Sequence, residues 1–256
     1  LVDIMKNYMA NRTFSRGIEQ LSAEASMVFM GNTQKSVAYM LKHSHFSEPL
    51  PDKYIDSAFL DRIHAFSPGW EVQPVRHDLF TSSYGFVVDY IAEVLKHLRT
   101  EDYTSLYKKE FEIISEVSTR DQTGFEKTFS GLMKIIHPDQ KATKEEIEEL
   151  LEFSMECRKR VRDQILRIDS TFNSNEFIYK PLNSEVSKQV RTPEEIQYPQ
   201  FSKFKQSSEE SEFPENTLET DEKTASKGDA KNQFENLDLS QISKTPKECH
   251  IVIPEN

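Results

Sequence analysis

The stretch TKEEIEELLEFSMECRKRVRDQILRI, from Thr143 to Ile168, carries the clearest structural signal in the chain. Its apolar side chains recur at helical spacing, so that they fall on one face. They are Ile147, Leu150, Leu151, Met155, Val161 and Ile165. Thr143 and Glu146 have the spacing of a capping box. Acidic residues crowd the first turns and basic residues the last, which complements the helix dipole. We predict one long amphipathic helix over 143–168.

Two segments before this helix show the same periodicity. SSYGFVVDYIAEVLKHLR opens with Ser82 and Ser83 as candidate caps. TRDQTGFEKTFSGLMKIIHP is ended by Pro138, and in it Thr123 and Glu126 have capping-box spacing, unless the helix begins earlier. The predicted apolar faces are Val87, Ile91, Val94, Leu95 and Leu98 in the first segment, and Phe125, Phe129, Leu132, Met133 and Ile136 in the second.

The N-terminal part predicts a different class of structure. Residues 2–9 place Val2, Met5 and Met9 on one helical face, and NRTFSRG offers a turn. The run ASMVFM, Ala25–Met30, is continuously apolar and of strand length, and it predicts a buried parallel strand. The ordered part is therefore expected to be an α/β piece followed by a helical piece.

Composition changes after Lys180. Residues 181–247 are poor in apolar residues and rich in Ser, Glu, Lys, Asn, Thr and Pro, which predicts a disordered acidic linker. The net charge of −11 includes 9 basic and 15 acidic residues over 181–256. An acidic total argues against indiscriminate coating of nucleic acid, but it leaves room for a local basic loop.

Other site and compartment classes have little support. The two cysteines, Cys157 and Cys249, form no CxxC pair or Cys/His cluster, which argues against disulfide frameworks and structural zinc. We predict no metal ligand in the chain, and a solvated loop for His43 and His45. Apolar runs are too short for a membrane span, and no signal peptide is visible. A reducing cytoplasm is expected.

Three polar residues stand where an apolar element ends. Asn32 follows the predicted strand, Arg62 follows the apolar segment AFL, and Arg120 stands at the head of a predicted helix. An amide at a strand end can orient a water beside a phosphate, and an arginine offered across an interface can neutralise charge on phosphoryl oxygens. Each also has a structural interpretation, because a local ion pair of Asp61 with Arg62 and a surface Arg120 are ordinary features.

The order and wording of these segments carry a family resemblance. IMKNYM, FSRG, SMVFMGN, AFLDRIHAFSPGW, YGFVVDYIAEVLKHLR, RDQTGFEKTFSGLMKIIHP and MECRKRVRDQ follow one another over residues 1–168. Together they closely resemble the AAA+ module of the BrxL family, the Lon-like proteins of BREX bacteriophage-exclusion systems. CHIVIPEN, at 249–256, resembles the opening of that family's Lon-protease-like domain.

The resemblance assigns roles to the polar residues. It implies that Asn32 is the sensor-1 amide, that Arg62 is an arginine finger reaching the nucleotide of a neighbouring subunit, and that Arg120 is the sensor-2 residue, with Lys127 as the alternate. We expect packed neighbours to fix the base of Arg62 and Asp61 to limit its movement. NRTFSRG occupies the place of a pre-sensor hairpin, which makes Arg12 and Arg16 candidate contacts to DNA phosphates.

The resemblance also predicts how the chain divides. Residues 1–100 are expected to be the C-terminal half of the AAA+ α/β core, 101–180 a helical lid, 181–247 the linker and 248–256 the start of the Lon-like domain. Neither a GxxxxGK[ST] loop nor an Asp-Glu pair ending a strand occurs in the sequence, so the P-loop half is missing. ATP and Mg²⁺ are expected for the full-length parent and no cofactor for this fragment alone, whose own enzyme activity stays undecided.

Two functions remain open from the sequence. The first is part of a homo-oligomeric, ring-forming ATPase of phage defence that acts with double-stranded DNA, and with other BREX proteins, as a DNA translocase or an ATP-dependent protease. The second is a non-enzymatic helical interaction module with an acidic recruiting tail, in which the arginines are structural.

Overall fold

The N-terminal part of the chain is built from short elements. The computed structural model describes residues 1–173 and 176–202. In order, the first elements are α1 (Val2–Asn11), β1 (Thr13–Arg16), β2 (Glu19–Ser22), α2 (Val37–His43), α3 (Ser57–Leu60) and α4 (Val88–Leu98). β1 and β2 form an antiparallel hairpin whose turn contains Gly17 at φ 72°, a conformation that favours glycine. The turn predicted in NRTFSRG thus lies in a hairpin.

The C-terminal part contains the two long helices. Its elements are α5 (Thr104–Lys108), β3 (Phe111–Ile113), α6 (Thr119–Ile136), α7 (Lys144–Ile168), β4 (Ile178–Pro181), β5 (Lys188–Gln189), α8 (Pro193–Gln197) and α9 (Pro199–Ser202). β3, β4 and β5 form an antiparallel sheet in the order β3-β4-β5. Among the helices just given, none has both the length and the hydropathy that crossing a bilayer requires.

α7 confirms the prediction made for 143–168. Thr143 and Glu146 form the capping box, and Leu151 and Met155 are fully buried against α6 and the β3-β4-β5 sheet. Near its C-terminal end, α7 buries Ile165 in a second core. One helix therefore contributes to two cores, and each fully buried large apolar side chain contributes about 1.5–3 kcal/mol.

The second and third cores lie around the short helices. Phe59 and Leu60 of α3 are buried against α7, with Met5 and Met9 of α1 packed alongside. In the third core, α2 and the loop after it contribute Met40, Leu41 and Phe46, against which Tyr198 and Phe201 pack. These contacts fix the loop that begins at Asp61.

The strand prediction for Ala25–Met30 is wrong. The segment is coil, although exposure alternates along it: Met27 and Phe29 are partly buried, while Val28 and Met30 are exposed. A strand requires ladder hydrogen bonds to a neighbour, and in the described part of the chain no strand lies alongside it. Phe29 instead packs edge-on against Phe59, with ring centroids 5.6 Å apart.

The cap prediction for α4 is wrong, and the earlier start left open for α6 is confirmed. α4 begins at Val88, beyond Ser82 and Ser83, and its N-cap makes no side-chain hydrogen bond. α6 is capped by Ser118 with Asp121, one turn before Thr123 and Glu126, as the earlier start allows. The predicted apolar face of α4 is largely exposed, because no described core packs against it.

Two expectations for the C-terminal part need correction. The lid expected at 101–180 is not wholly helical, because β3 and β4 pair within it. The linker expected from 181 begins too early, because β5, α8 and α9 follow Pro181. The low apolar content predicted disorder incorrectly here. A capping box at Thr192 and the burial of Val190 are enough to order this segment. The remainder of the predicted linker and CHIVIPEN lie outside the described residues.

Candidate active site at the junction of α3, α6 and α7

Asp61 is the centre of the candidate site. α3 is a four-residue helix capped by Asp56, whose Oδ1 accepts from the backbone N–H of Phe59 at 2.7 Å. Phe59 and Leu60 are buried and anchor α3. Asp61 follows them, and its carboxylate accepts hydrogen bonds from Arg120 of α6 and Arg158 of α7. Its side chain is 5% exposed, so it needs compensating charge.

Three arginines supply that charge. Asp61 Oδ2 accepts from Arg120 Nη1 at 2.6 Å, and Asp61 Oδ1 accepts from Arg158 Nη2 at 2.8 Å and from Arg162 Nη1 at 3.3 Å. Burial raises the pKa of Asp61, but the hydrogen bonds and charges of the arginines outweigh it, so the pKa lies below its ordinary value. The carboxylate is therefore ionised at neutral pH.

A second carboxylate completes the network. Asp121, which is fully buried, belongs to the capping box of α6, and its Oδ2 accepts from Ser118 Oγ at 2.7 Å. Its Oδ1 accepts from Arg158 Nε at 2.8 Å and lies 3.6 Å from Arg162 Nε. The network thus joins the loop after α3 to the first turn of α6 through α7.

Arg62, unlike Asp61, forms no ion pair with a described residue. Its Nη1 donates to the carbonyl of Ala58 one turn back in α3, and its Nε is buried without a hydrogen-bond partner. Within residues 1–173 and 176–202, no carboxylate lies within ion-pair distance of Arg62. The expectation that Asp61 limits the movement of Arg62 is wrong, because the Asp61 carboxylate is fully engaged by other arginines.

Arg120 borders an open cleft of about 530 Å³. Its side chain is 53% exposed even though it is bonded to Asp61. The lining residues are Asp61, Ser118, Thr119, Arg120, Arg162, Thr171, Phe172 and Asn173. The first turn of α6 opens into the cleft, and Arg162 lies 5.1 Å from the centre of the Phe172 ring. An arginine at a helix N-terminus gives this cleft the charge that favours an anion.

Positive charge extends along α6 beyond Arg120. Burial lowers the pKa of Lys127, and the charge of Arg12 lowers it further. Burial likewise lowers the pKa of His64 to about 4, assisted by Lys127 and Arg158. His64 is therefore neutral at pH 7. Arg12, at the C-terminal cap of α1 with φ 58°, thus lies close enough to Lys127 for their charges to interact.

Asn32 stands apart from these residues. It lies in exposed coil and makes no hydrogen bond to any described residue. Next to it, a Cβ on Gly31 would lie 3.2 Å from the Cβ of Pro49. The backbone of Arg16 pairs with Glu19 in the hairpin. The structure therefore joins Arg120 to Asp61, the residue before Arg62, and does not join Asn32 to either arginine.

Sequence reasoning missed Arg158 and Arg162. The basic residues at the end of α7 were interpreted only as a complement to the helix dipole, whereas both arginines are buried and paired with carboxylates. The signal was present in the spacing: Arg158 lies two helical turns after Leu151 and two before Ile165, on the face that the apolar residues define.

Comparisons with known proteins agree on one family. A family model described as "Lon-like protease BrxL-like, ATPase domain" matches residues 1–178. The chain is 41% identical over 167 residues to the Lon-like protease BrxL of Escherichia coli O9:H4 (strain HS), covering 65% of this chain and 24% of the relative. It is 39% identical over 196 residues to the Lon-like protease BrxL of Bacillus cereus (strain H3081.97), covering 76% and 29%. The chain spans about a quarter of the length of these relatives.

Proposed function

This chain belongs to the family of BrxL-like Lon-like ATPases, and we propose that it supplies the arginines that complete the nucleotide site of a neighbouring subunit. Arg62 is assigned as the finger, and Arg120, with Lys127 as the alternate, as the second sensor of the nucleotide. Asn32 is assigned as the first sensor. The parent is proposed to be a homo-oligomeric ring.

One observation carries the proposal. Two successive residues of a packed loop differ in their ion pairing. Asp61 is paired with three arginines, while Arg62 has no carboxylate partner in the described residues. A guanidinium whose buried Nε has no partner suits an anionic ligand better than a structural ion pair. Arginine fingers accelerate phosphoryl transfer by about 10³- to 10⁵-fold.

The cleft supports the role of Arg120. Asp61 accepts from Arg120 at 2.6 Å, yet half of the Arg120 side chain remains exposed toward the cleft. A nucleotide phosphate can therefore compete with Asp61 for this guanidinium, because Asp61 keeps Arg158 and Arg162 as partners. Loss of the phosphate would return Arg120 to Asp61.

The described residues fit the phosphates of ATP, and they include no group of ligands for Mg²⁺. Arg62 and Arg120 would contact phosphate oxygens, and the bound nucleotide would supply the phosphoryl group that is transferred to water. Among the described residues no three His, Cys, Asp or Glu side chains come together as metal ligands, so we assign no Mg²⁺ ligand.

The proposal extends to double-stranded DNA. The β1–β2 hairpin carries Arg16 and follows Arg12, and both are assigned to phosphate contacts. Arg12 and Lys127 lie close enough for their charges to interact, and neighbouring positive charges of this kind attract a polyanion such as DNA. We place the parent in the cytoplasm, in BREX defence with its partner proteins, where ATP hydrolysis would drive DNA translocation or proteolysis.

The first prediction concerns Arg62. Arg62→Ala in a complete protein of the family that carries these residues should lower kcat for ATP at least 10³-fold and leave ATP binding largely unchanged, because a finger acts on charge developing in the transition state. Steady-state turnover and nucleotide binding measure the two effects.

Arg76→Ala is the matched control, because Arg76 is an exposed arginine whose only described ion pair is with Asp78 at 3.1 Å. We expect it to keep wild-type turnover. Retained turnover in the Arg62 variant would contradict the assignment and favour the interaction module.

The interaction module has one observation in its favour. The apolar face of α4, formed by Ile91, Val94 and Leu95, is about two-fifths exposed. Helix faces of this kind commonly bind a partner.

A further inference from the structure

We propose that Arg158 is a positioning residue that fixes the direction of Arg62 and couples it to the first turn of α6, where Arg120 lies. The inference rests on the proposed function of Arg62. Arg158 is on α7, is fully buried, and would touch neither nucleotide nor DNA.

Arg158 holds the backbone on both sides of Arg62. Its Nη1 donates to the carbonyl of Ile63 at 2.5 Å and to the carbonyl of Asp61 at 3.1 Å. Its Nη2 donates to the Asp61 carboxylate at 2.8 Å. Because the peptide group before Arg62 and the peptide group after Ile63 are both bonded to one rigid fork, the two-residue backbone segment that carries the Arg62 side chain is held from α7.

The opposite side of the same guanidinium fixes α6. Nε donates to Asp121 Oδ1 at 2.8 Å, and Nη2 lies 2.7 Å from the same oxygen. Asp121 is the third residue of α6 and adjoins Arg120. A displacement of the α6 N-terminus on nucleotide loss would therefore pull on Arg158, and through it on the loop that carries Arg62.

The shape of arginine, and not only its charge, is required here. The guanidinium serves four acceptors on two segments: two carbonyls, and the carboxylates of Asp61 and Asp121. A lysine ammonium is a point charge with three donors and cannot reproduce this planar arrangement. Arg158→Lys therefore preserves the charge and removes the positioning.

The test begins on this chain, without nucleotide. Amide hydrogen exchange over residues 58–66 should become at least tenfold faster in Arg158→Lys. The carbonyls of Asp61 and Ile63 lose their partner, so the segment opens more readily and exposes its N–H groups to water. Arg167→Lys is the control: Arg167 lies on the same helix and also donates to backbone carbonyls, those of Leu41 and Phe201. It should leave exchange over 58–66 unchanged. Equal exchange in both variants would overturn the proposal.

The second measurement uses the complete protein. Arg158→Lys should lower kcat for ATP at least tenfold with KM within threefold of wild type, and should add little in the Arg62→Ala background. Arg167→Lys should keep kcat. If Arg62→Ala abolishes turnover while Arg158→Lys keeps it, the positioning inference fails and the finger stands. If Arg62→Ala keeps turnover, the finger itself fails.

Asp121→Asn covers the case in which Arg158→Lys does not fold. This variant keeps the shape of the side chain and removes the charge that orients Arg158. A fall in kcat at unchanged KM supports positioning, and an unchanged kcat overturns it.

Discussion

Gly124 allows α6 to approach Arg158 and the loop that follows α3. A Cβ at this position would lie 2.9 Å from Arg158 Cδ and 3.2 Å from the His64 carbonyl. The Arg158 atom belongs to a side chain fixed by several hydrogen bonds, so it cannot move aside. Gly124→Ala should lower the free energy of unfolding by about 1–3 kcal/mol through overpacking, although alanine is the better helix former.

Gly131, in the same helix, is the matched control. No atom lies within 4 Å of a Cβ built on it. Gly131→Ala should therefore raise the free energy of unfolding by up to about 1 kcal/mol. Urea unfolding of both variants measures the difference. Stabilisation of similar size by the two substitutions would show that α6 does not approach Arg158 as described.

The short helix α8 depends on its first residues. Thr192 accepts from the Glu195 N–H at 3.3 Å, and the Glu195 carboxylate accepts from the Thr192 N–H at 3.1 Å. Pro193 begins the helix, where its fixed φ is favourable. Glu194 then reaches Arg160 Nε at 3.0 Å, and Glu195 reaches Lys159 Nζ at 2.6 Å. The cap therefore places two ion pairs on α7.

Thr192→Ala should cost about 1 kcal/mol of unfolding free energy, or somewhat more because the site is buried. Thr192→Ser, which keeps the hydroxyl, should cost less than half as much. Chemical denaturation measures both. An unaffected alanine variant would mean that α8 contributes nothing to the stability of the fold.

The chain as a whole carries a pH-dependent cluster that joins the loop after Trp70, α7 and α8. Arg160 lies 2.6 Å from Glu71, 2.5 Å from Glu156 and 3.0 Å from Glu194. Burial raises the pKa of Glu71 to about 7; Arg160 opposes this, while Glu194 and Glu156 add to it. Three carboxylates that share one guanidinium cannot all be ionised without cost.

The sign of the pH effect follows from the raised pKa. Since Glu71 binds its proton more tightly in the folded state, its unfavourable contribution is complete above pH 7 and diminishes as the pH falls toward the unfolded value. Between pH 8 and 6.5, the folded state of the wild type should gain a little under about 1 kcal/mol from this group. Glu71→Gln should remove that gain and be the more stable protein at pH 8.

His64 opposes the effect toward pH 6.5, since its lowered pKa makes stability fall as the pH drops through that value. It does so equally in wild type and in Glu71→Gln, so the difference between their slopes reports Glu71. Glu126→Gln is the control. Burial raises the pKa of Glu126, but Lys108, Tyr107 and Gln122 hold it below the ordinary value, so its contribution does not change in this window. Thermal unfolding at several pH values measures the slopes, and an unchanged slope in Glu71→Gln would refute the assignment.

Short-range sequence patterns were enough to predict the long helices. The periodicity and capping box of α7, and the Pro138 that follows α6, act within a few residues, so they can be read without knowing the partners of either helix. The same signals located Arg62 and Arg120 beside apolar elements. For α4, however, the periodicity correctly predicted a helix and wrongly predicted a buried face, because burial requires a partner that sequence spacing does not specify.

What depended on folding was the pairing of distant residues. Whether Ala25–Met30 became a strand depended on a neighbour with which to share hydrogen bonds. Whether Asp61 bonded Arg62 or Arg158 depended on a contact across 97 residues of chain. The amino-acid order therefore specified where helices form and where charged residues stand along them. The packing of α7 against α3 and α6 selected which charges are neutralised, since Coulomb attraction depends on distance in space and not on separation along the chain.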